Sequence, residues 1–209
     1  MILRLAAALS LLLGALGVIG YLQIVGESPF SSLEMRHLRD MKERRTAPAR
    51  TEPVTLDAIA ALPHGLSVAE YSGIERRAVA MEGYVQRMIR ATDGDVHLEL
   101  TPWPRAAGER DSMYVTAEIP IAWRTLHGWS YEGLAAAFRP NARGAGTPWP
   151  GGPRRVRVSG WLLYDFQFDA PRSAIERAEG VGRVSGWEIH PVTALEQRDA
   201  RDSAWVAIR

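Results

Sequence analysis

The sequence predicts a mainly β protein, a small five-stranded barrel that follows an N-terminal hydrophobic helix and a polar helix. Two observations predict the barrel. Five segments alternate apolar and polar residues or are rich in strand-forming residues. The first and fourth of them, residues 76–91 and 154–168, are long and carry a central glycine, Gly83 and Gly160. A glycine suits the point where one strand curls to serve both sides of a small barrel.

Residues 1–26 read as a signal-anchor or a signal peptide. After a short basic start, Leu5–Val25 is uncharged over 21 residues. A helix of that length covers about 30 Å, the thickness of one hydrocarbon core. The length favours an uncleaved membrane-spanning helix, and a cleaved signal peptide stays open as the alternative.

The predicted location is a bacterial inner membrane, crossed once, with the barrel in the periplasm. Lys42 is the single lysine among many arginines, as in proteins from GC-rich bacterial genomes. The basic start favours export of the remainder, although basic residues between Arg36 and Arg45 favour the opposite orientation. If the signal is cleaved, the protein is instead secreted to the periplasm.

Residues 27–54 are predicted to hold a polar juxtamembrane helix and a linker. The helix covers Ser31–Arg45, with Ser31 or Ser32 as its cap, and a Pro-containing stretch follows to Val54. A possible cap at Thr55 then begins a short helix, and residues 55–209 form the barrel domain.

The element order within that domain is strand, strand, strand, helix, strand, strand. Asp93-Gly94 predicts a hairpin turn between the first two strands, and a Ser130 cap predicts the helix Trp129–Phe138. A capping-box pattern predicts a further short helix at Ser173–Gly180. One helix between strands 3 and 4 of a five-stranded Greek-key barrel is the pattern of an OB-fold. A strand-only sandwich is the alternative, but five strands are few for it.

Three stretches, "SVAEYSGIERRAVAMEGYV", "VRVSGWLLYD" and "WEIHPVT", resemble a group of uncharacterised bacterial proteins with an OB-type barrel. The resemblance covers residues 66–197, and the WEIHPVT-like strand is its most distinctive part. It implies the barrel fold and implies no activity.

Several classes of function are excluded or disfavoured by composition and motifs. The chain has no cysteine, so it has no disulfide, thiolate metal site or cysteine nucleophile. It has no G-x-S-x-G, no P-loop and no G-x-G-x-x-G. Residues 70–209 hold eighteen arginines and eighteen acidic residues, unlike a basic nucleic-acid binder. Arg154, Arg155 and Arg157 form a basic patch, but a small one.

The second and third strands offer a possible ligand face of Tyr114, Thr116 and Glu118. OB-folds bind ligands on these strands. Glu118 and the neighbouring acidic residues Asp95 and Glu99 would repel phosphate, so nucleic acid is an unexpected partner. The face suits a cation, a basic peptide or a protein partner.

Two clusters are candidates for a metal ion, and no other cofactor is expected. Asp95, His97 and Glu99 share one strand face, and Glu188 and His190 share another. In the predicted barrel the third strand separates these two strands, so their side chains are about 10 Å apart. Polar, outward-facing side chains on half-buried strands are the favoured interpretation of both clusters, with Trp187 and Ile189 facing inward.

These observations predict a membrane-anchored or exported OB-fold-like module that binds or assembles with a partner and has no catalytic residues. The alternative is a metal-dependent hydrolase or nuclease that uses the outward Asp, Glu and His residues of the barrel.

Overall fold

The computed structural model describes residues 2–24, 31–104, 113–140, 152–168, 182–199, 201 and 203–209, with side chains of the first helix given over residues 10–22. The helix predicted at Ser173–Gly180 lies outside the described residues. The chain divides into two compact units, Met1–Glu43 and Arg44–Arg209.

The first unit contains helices α1 (Ile2–Ile24) and α2 (Leu33–Lys42). Ser32 caps α2 as predicted, since its side chain accepts a hydrogen bond from the backbone N–H of Met35 at 3.2 Å. The transmembrane helix predicted in residues 1–26 is not found, because no helix among the described residues is long and apolar enough to cross a membrane.

The second unit is mainly β, with one mixed sheet of seven strands and several helices. Its helices are α3 (Leu56–Ala60), α4 (Val68–Ile74), α5 (Ile121–His127) and α6 (Tyr131–Phe138). Its strands are β1 (Glu52–Val54), β2 (Ala78–Arg90), β3 (Val96–Thr101), β4 (Met113–Ile119), β5 (Arg155–Tyr164), β6 (Gly182–Arg198) and β7 (Trp205–Ala207).

The strands lie in the order β1-β2-β3-β4-β6-β5, with β7 on β6 and a further pairing of β2 with β5. The β1–β2 and β4–β6 pairs are parallel, and the other pairs are antiparallel. The five predicted strands are therefore all present. The short strands β1 and β7 were not predicted, because three residues are too few to show a periodicity.

Among the described residues between β4 and β5 there are two helices, not the one predicted. The predicted helix is α6, and Ser130 caps it by accepting from the N–H of Gly133 at 3.0 Å. The additional helix α5 begins directly after Pro120 and ends at Gly128, whose φ of 69° only glycine adopts easily.

The two long strands curl at their glycines, as predicted. In β2, residues 78–84 pair with β5 and residues 84–90 pair with β3. A Cβ atom on Gly83 would overlap the carbonyl oxygen of Thr101, and one on Gly160 would overlap that of Pro191. The register of β5 against β6 is irregular at Gly160. Both glycines thus allow backbones to approach where side chains would not fit.

Apolar side chains of the described strands and helices pack together in one core cluster. The apolar residues that alternate with polar ones along β3, β4 and β6 are all buried, and they include the predicted Trp187 and Ile189: Val96, Leu98, Leu100, Val115, Ala117, Ile119, Trp187 and Ile189. Helices contribute Ile59 from α3 and both Leu134 and Phe138 from α6. Burial of each large apolar side chain stabilises the fold by about 1.5–3 kcal/mol.

Candidate functional site

The opposite face of β3, β4 and β6 is also buried, although the sequence predicted a solvated face. Glu118 is 2% exposed, Glu188 is 0% exposed and His190 is 1% exposed. Alternation shows which side of a strand a residue occupies, but not whether further chain covers that side. Glu188 and His190 therefore lie on the predicted side of β6, opposite Trp187 and Ile189, but they are buried there and not exposed to solvent.

Strand pairing brings residues of both candidate metal clusters together around Glu118. The antiparallel β3–β4 register sets His97 opposite Glu118, and the parallel β4–β6 register brings His190 beside the same residue. His190 Nδ1 lies 2.9 Å from Glu118 Oε2, and His97 Nε2 lies 3.4 Å from Glu118 Oε1. Glu118 thus bridges strands that the sequence analysis treated as too far apart to cooperate.

Arg183 is a member of this cluster that the sequence analysis missed. It forms an ion pair with Glu188, and its Nε donates to Thr116 Oγ1 at 2.7 Å. The ring of Phe168 lies over its guanidinium at 4.1 Å. Arg183 lies five positions before Glu188, so strict alternation places the two residues on opposite faces. A register shift in the β4–β6 pairing returns Arg183 to the polar side.

Asp95 completes the cluster from the position directly before β3. One of its carboxylate oxygens accepts from the backbone N–H of Ile121 at 3.0 Å. Burial and the nearby charge of Asp93 raise the pKa of Asp95. Asp95, Glu118 and His190 each offer one ligand atom, and these atoms all lie within 4.8 Å of one another. These three residues, which we call the Asp95 triad, could hold a metal ion.

The charge on His190 is set by two buried carboxylates. Burial alone lowers the pKa of this imidazole, but hydrogen bonds and charge interactions with Glu118 and Glu188 outweigh burial and raise the pKa to about 9. Without a bound cation, His190 is therefore protonated at neutral pH. A proton on the ring is one way to offset the negative charge of the cluster.

Glu99, another candidate ligand, belongs to a separate interaction. Its carboxylate forms an ion pair with Arg87 and lies 3.3 Å from Gln86 Nε2. Burial and then the charge of Glu99 raise the pKa of Tyr114 to about 12. Of the predicted ligand face, only Tyr114 is partly exposed, since Thr116 and Glu118 are buried. The three residues therefore do not form an open ligand face.

A second feature is a cleft of about 690 Å³ that we call the arginine cleft. Arg139 comes from the end of α6, Arg154 and Arg155 from the start of β5, Arg198 from the end of β6, and Arg201 from the turn before β7. From the sequence, only the small basic patch at residues 154–157 could be predicted. The cleft could not, because the fold gathers arginines that lie far apart in the chain.

The cleft has far more positive than negative charge. Asp199 is the only carboxylate among the described residues that line it, and it pairs with Arg201 at 2.8 Å. Hydrogen bonds from Arg201 and the charge of Arg154 lower the pKa of Asp199 to about 2. Arg154 itself donates to the neutral oxygen of Gln197 at 3.0 Å. Outside the cleft, Arg155 pairs with Glu82 at 3.0 Å.

No protein-family model and no curated protein matches the chain. Among solved structures, the chain is similar to asparaginyl-tRNA synthetase from Pyrococcus horikoshii, solved with asparaginyl-adenylate, at 18% identity and a TM-score of 0.33. The match covers 65% of this chain and 22% of that protein. A similarity of this extent assigns neither an activity nor a ligand.

Proposed function

We propose that residues 44–209 form an OB-fold-like binding module that has no catalytic role and binds an acidic segment of a protein partner at the arginine cleft. The pairings β2–β3, β3–β4, β4–β6, β6–β5 and β5–β2 run in a cycle, which supports a closed barrel of five strands. The excess of arginines over carboxylates among the described residues that line the cleft is the observation that supports the proposed binding function.

Carboxylates are the ligand groups that the arginine cleft fits. Five arginines line the cleft, and among the described lining residues the single carboxylate is that of Asp199. A guanidinium is a planar fork of N–H donors that binds a carboxylate through two parallel hydrogen bonds. Positive charge gathered in a concave surface also attracts acidic partners and speeds their association.

Nucleic acid fits the cleft less well. Proteins that hold single strands combine positive charge with aromatic side chains on which the bases stack. None of the described residues that line the cleft is aromatic. An acidic peptide needs no stacking partner, so the absence of aromatic side chains favours the peptide.

Burial of the polar cluster favours binding over the alternative of a hydrolase or nuclease. General acid–base chemistry needs a side chain within hydrogen-bond reach of its substrate. Glu118, Glu188 and His190 are almost completely enclosed, and a polymeric substrate does not reach them.

The proposal is tested by measuring the affinity of the full-length chain for a fluorescent oligoglutamate peptide by anisotropy. Arg154→Glu and Arg198→Glu each replace a cleft guanidinium by a carboxylate. We expect each to weaken binding by about tenfold or more, because a charged hydrogen bond contributes about 1.5–3 kcal/mol.

Arg50→Glu is the matched control, since Arg50 is exposed and does not line the cleft. It makes the same change of charge and should leave the affinity within about twofold. Equal losses in the control and the cleft variants would show that only net charge matters. Tighter binding of a single-stranded oligonucleotide, or nuclease activity lost in His190→Ala, would overturn the proposal.

The location is proposed separately, from the sequence of residues 1–26. We infer that this segment takes the module to the periplasmic side of a bacterial inner membrane. A reporter that is active only in the periplasm, fused after Arg209, should be active. An inactive reporter on a stable fusion would contradict the inferred periplasmic location.

A further inference from the structure

We propose that the Asp95 triad binds a divalent transition-metal ion, such as Zn²⁺ or Mn²⁺, inside the buried polar cluster. The inference is independent of the arginine cleft, which lies at the far end of β6. Three observations lead to it: the geometry of the ligand atoms, a buried nitrogen with no partner, and the charge balance of the cluster.

The geometry comes from three separate elements. Asp95 lies directly before β3, Glu118 in β4 and His190 in β6. Their ligand atoms lie within 4.8 Å of one another. Two ligands bound to one ion at about 2.0–2.2 Å each are separated by about 3–4 Å. Small side-chain adjustments therefore complete the coordination.

The second observation is the unpartnered nitrogen of His190. The residue is 1% exposed, yet its Nε2 has no hydrogen-bond partner among the residues that the structure describes. Buried polar atoms normally have a partner, because leaving one without a hydrogen bond costs about 1–3 kcal/mol. The other nitrogen, Nδ1, lies 2.9 Å from Glu118 Oε2.

Charge balance is the third observation. Three carboxylates, Asp95, Glu118 and Glu188, lie around one guanidinium, Arg183, which pairs with Glu188 and lies 4.0 Å from Glu118. When His190 is a neutral ligand, the net charge of these four groups is minus two, which matches one divalent cation. Buried charges need such compensation, since an isolated ion in the protein interior is strongly disfavoured.

The ligand types select the kind of metal. An imidazole nitrogen with two carboxylates suits Zn²⁺ and Mn²⁺, whereas Mg²⁺ and Ca²⁺ prefer oxygen ligands alone. His97 Nε2 lies 3.4 Å from Glu118 Oε1, so a second imidazole stands beside the triad. An ion here would tie β3, β4 and β6 together and stabilise the folded chain.

The test is metal titration of the full-length chain after treatment with a chelator, followed by calorimetry. Zn²⁺ and Mn²⁺ should bind with one ion per chain, and Mg²⁺ should not compete. Bound Co²⁺ should give a visible absorption spectrum that reports coordination by nitrogen and oxygen. Each added metal should also raise the Tm.

Asp95→Asn is the central variant, because Asp95 is only half-buried and the substitution keeps its shape. We expect it to weaken metal binding by about 10–100-fold. His190→Gln should abolish the Co²⁺ spectrum. Circular dichroism of each metal-free variant reports whether it folds, and Asp95→Asn keeps the test decisive if His190→Gln unfolds.

Asp93→Asn is the matched control, with the same chemical change in the exposed turn two residues away. It should bind metal within about twofold of the unaltered chain. Absence of saturable binding to the folded chain would overturn the proposal. So would equal weakening by Asp93→Asn and Asp95→Asn, because the ion would then lie at the turn.

Discussion

Arg183 is 7% exposed, and its charge is balanced mainly by Glu188. Replacing it by the uncharged Met leaves a buried carboxylate without its partner. We expect Arg183→Met to lower the free energy of unfolding by about 3–5 kcal/mol, as for other buried pairs that lose one member. Denaturation by urea, monitored by circular dichroism, measures the change.

Arg77→Met provides the comparison for that prediction. Arg77 pairs with Glu52 at 2.6 Å, but both side chains are more than two-fifths exposed. Such surface pairs contribute about 0–1 kcal/mol. If the two variants lose equal stability, burial does not set the strength of the Arg183–Glu188 pair.

We predict that ionisation of Tyr114 lowers the free energy of unfolding in alkaline solution. Burial, and next the charge of Glu99, raise its pKa to about 12, above the value of about 10 in an unfolded chain. Folding therefore favours the neutral phenol. The stability that the neutral phenol of Tyr114 contributes is fully present below pH 10 and is lost as the pH rises from about 10 to about 12.

The measurement is the free energy of unfolding at a series of pH values between 8 and 12, taken with about equal spacing. Tyr114→Phe cannot ionise, so it should lose less stability across this range than the unaltered chain. Tyr21→Phe, at a position that is 63% exposed, should behave like the unaltered chain. Parallel curves for all three proteins would contradict the prediction.

The curl of β5 at Gly160 makes a prediction about a whole strand. A methyl group at this position overlaps the backbone of Pro191 and the side chain of Ile189. Gly160→Ala should therefore push β5 and β6 apart and cost about 1–3 kcal/mol of stability.

Gly73 in α4 has open space, with only the end of Arg76 nearby. Gly73→Ala should be neutral or stabilising by up to about 1 kcal/mol. Thermal unfolding of both variants checks the contrast, and a stable Gly160→Ala protein would refute the account of the curl.

The strands show how much the sequence predicts. Alternation in β3 and β4 gave the inward residues correctly, because period two follows from strand geometry alone. It could not predict that the polar side is buried, since that depends on distant segments. Nor could it place Arg183, because the register shift changes the face. Helix α5 was missed because no Ser, Thr, Asp or Asn cap precedes it.

The distribution of charge across the molecule is another property that could not be predicted from the sequence. Residues 70–209 are neutral by count, so composition alone disfavoured an electrostatic function. The fold separates the charges: carboxylates gather around the first half of β6, and arginines gather at its end. Strand pairing creates this separation between residues that lie tens of positions apart, and a count along the chain cannot reveal it.

This separation predicts that salt affects binding and stability differently. Raising ionic strength from about 0.05 M to about 0.5 M shortens the screening length to a few ångströms. The exposed guanidiniums Arg155, Arg198 and Arg201 are open to screening, so affinity for the oligoglutamate peptide should fall by about tenfold or more.

The buried Arg183–Glu188 pair is shielded from solvent, so the free energy of unfolding should change by less than about 1 kcal/mol over the same range. Anisotropy and urea denaturation, performed in the same buffers, measure the two responses. An affinity that does not respond to salt would mean that the peptide binds outside the arginine cleft. A large loss of stability would mean that salt reaches the buried cluster, and its charges would then be open to solvent.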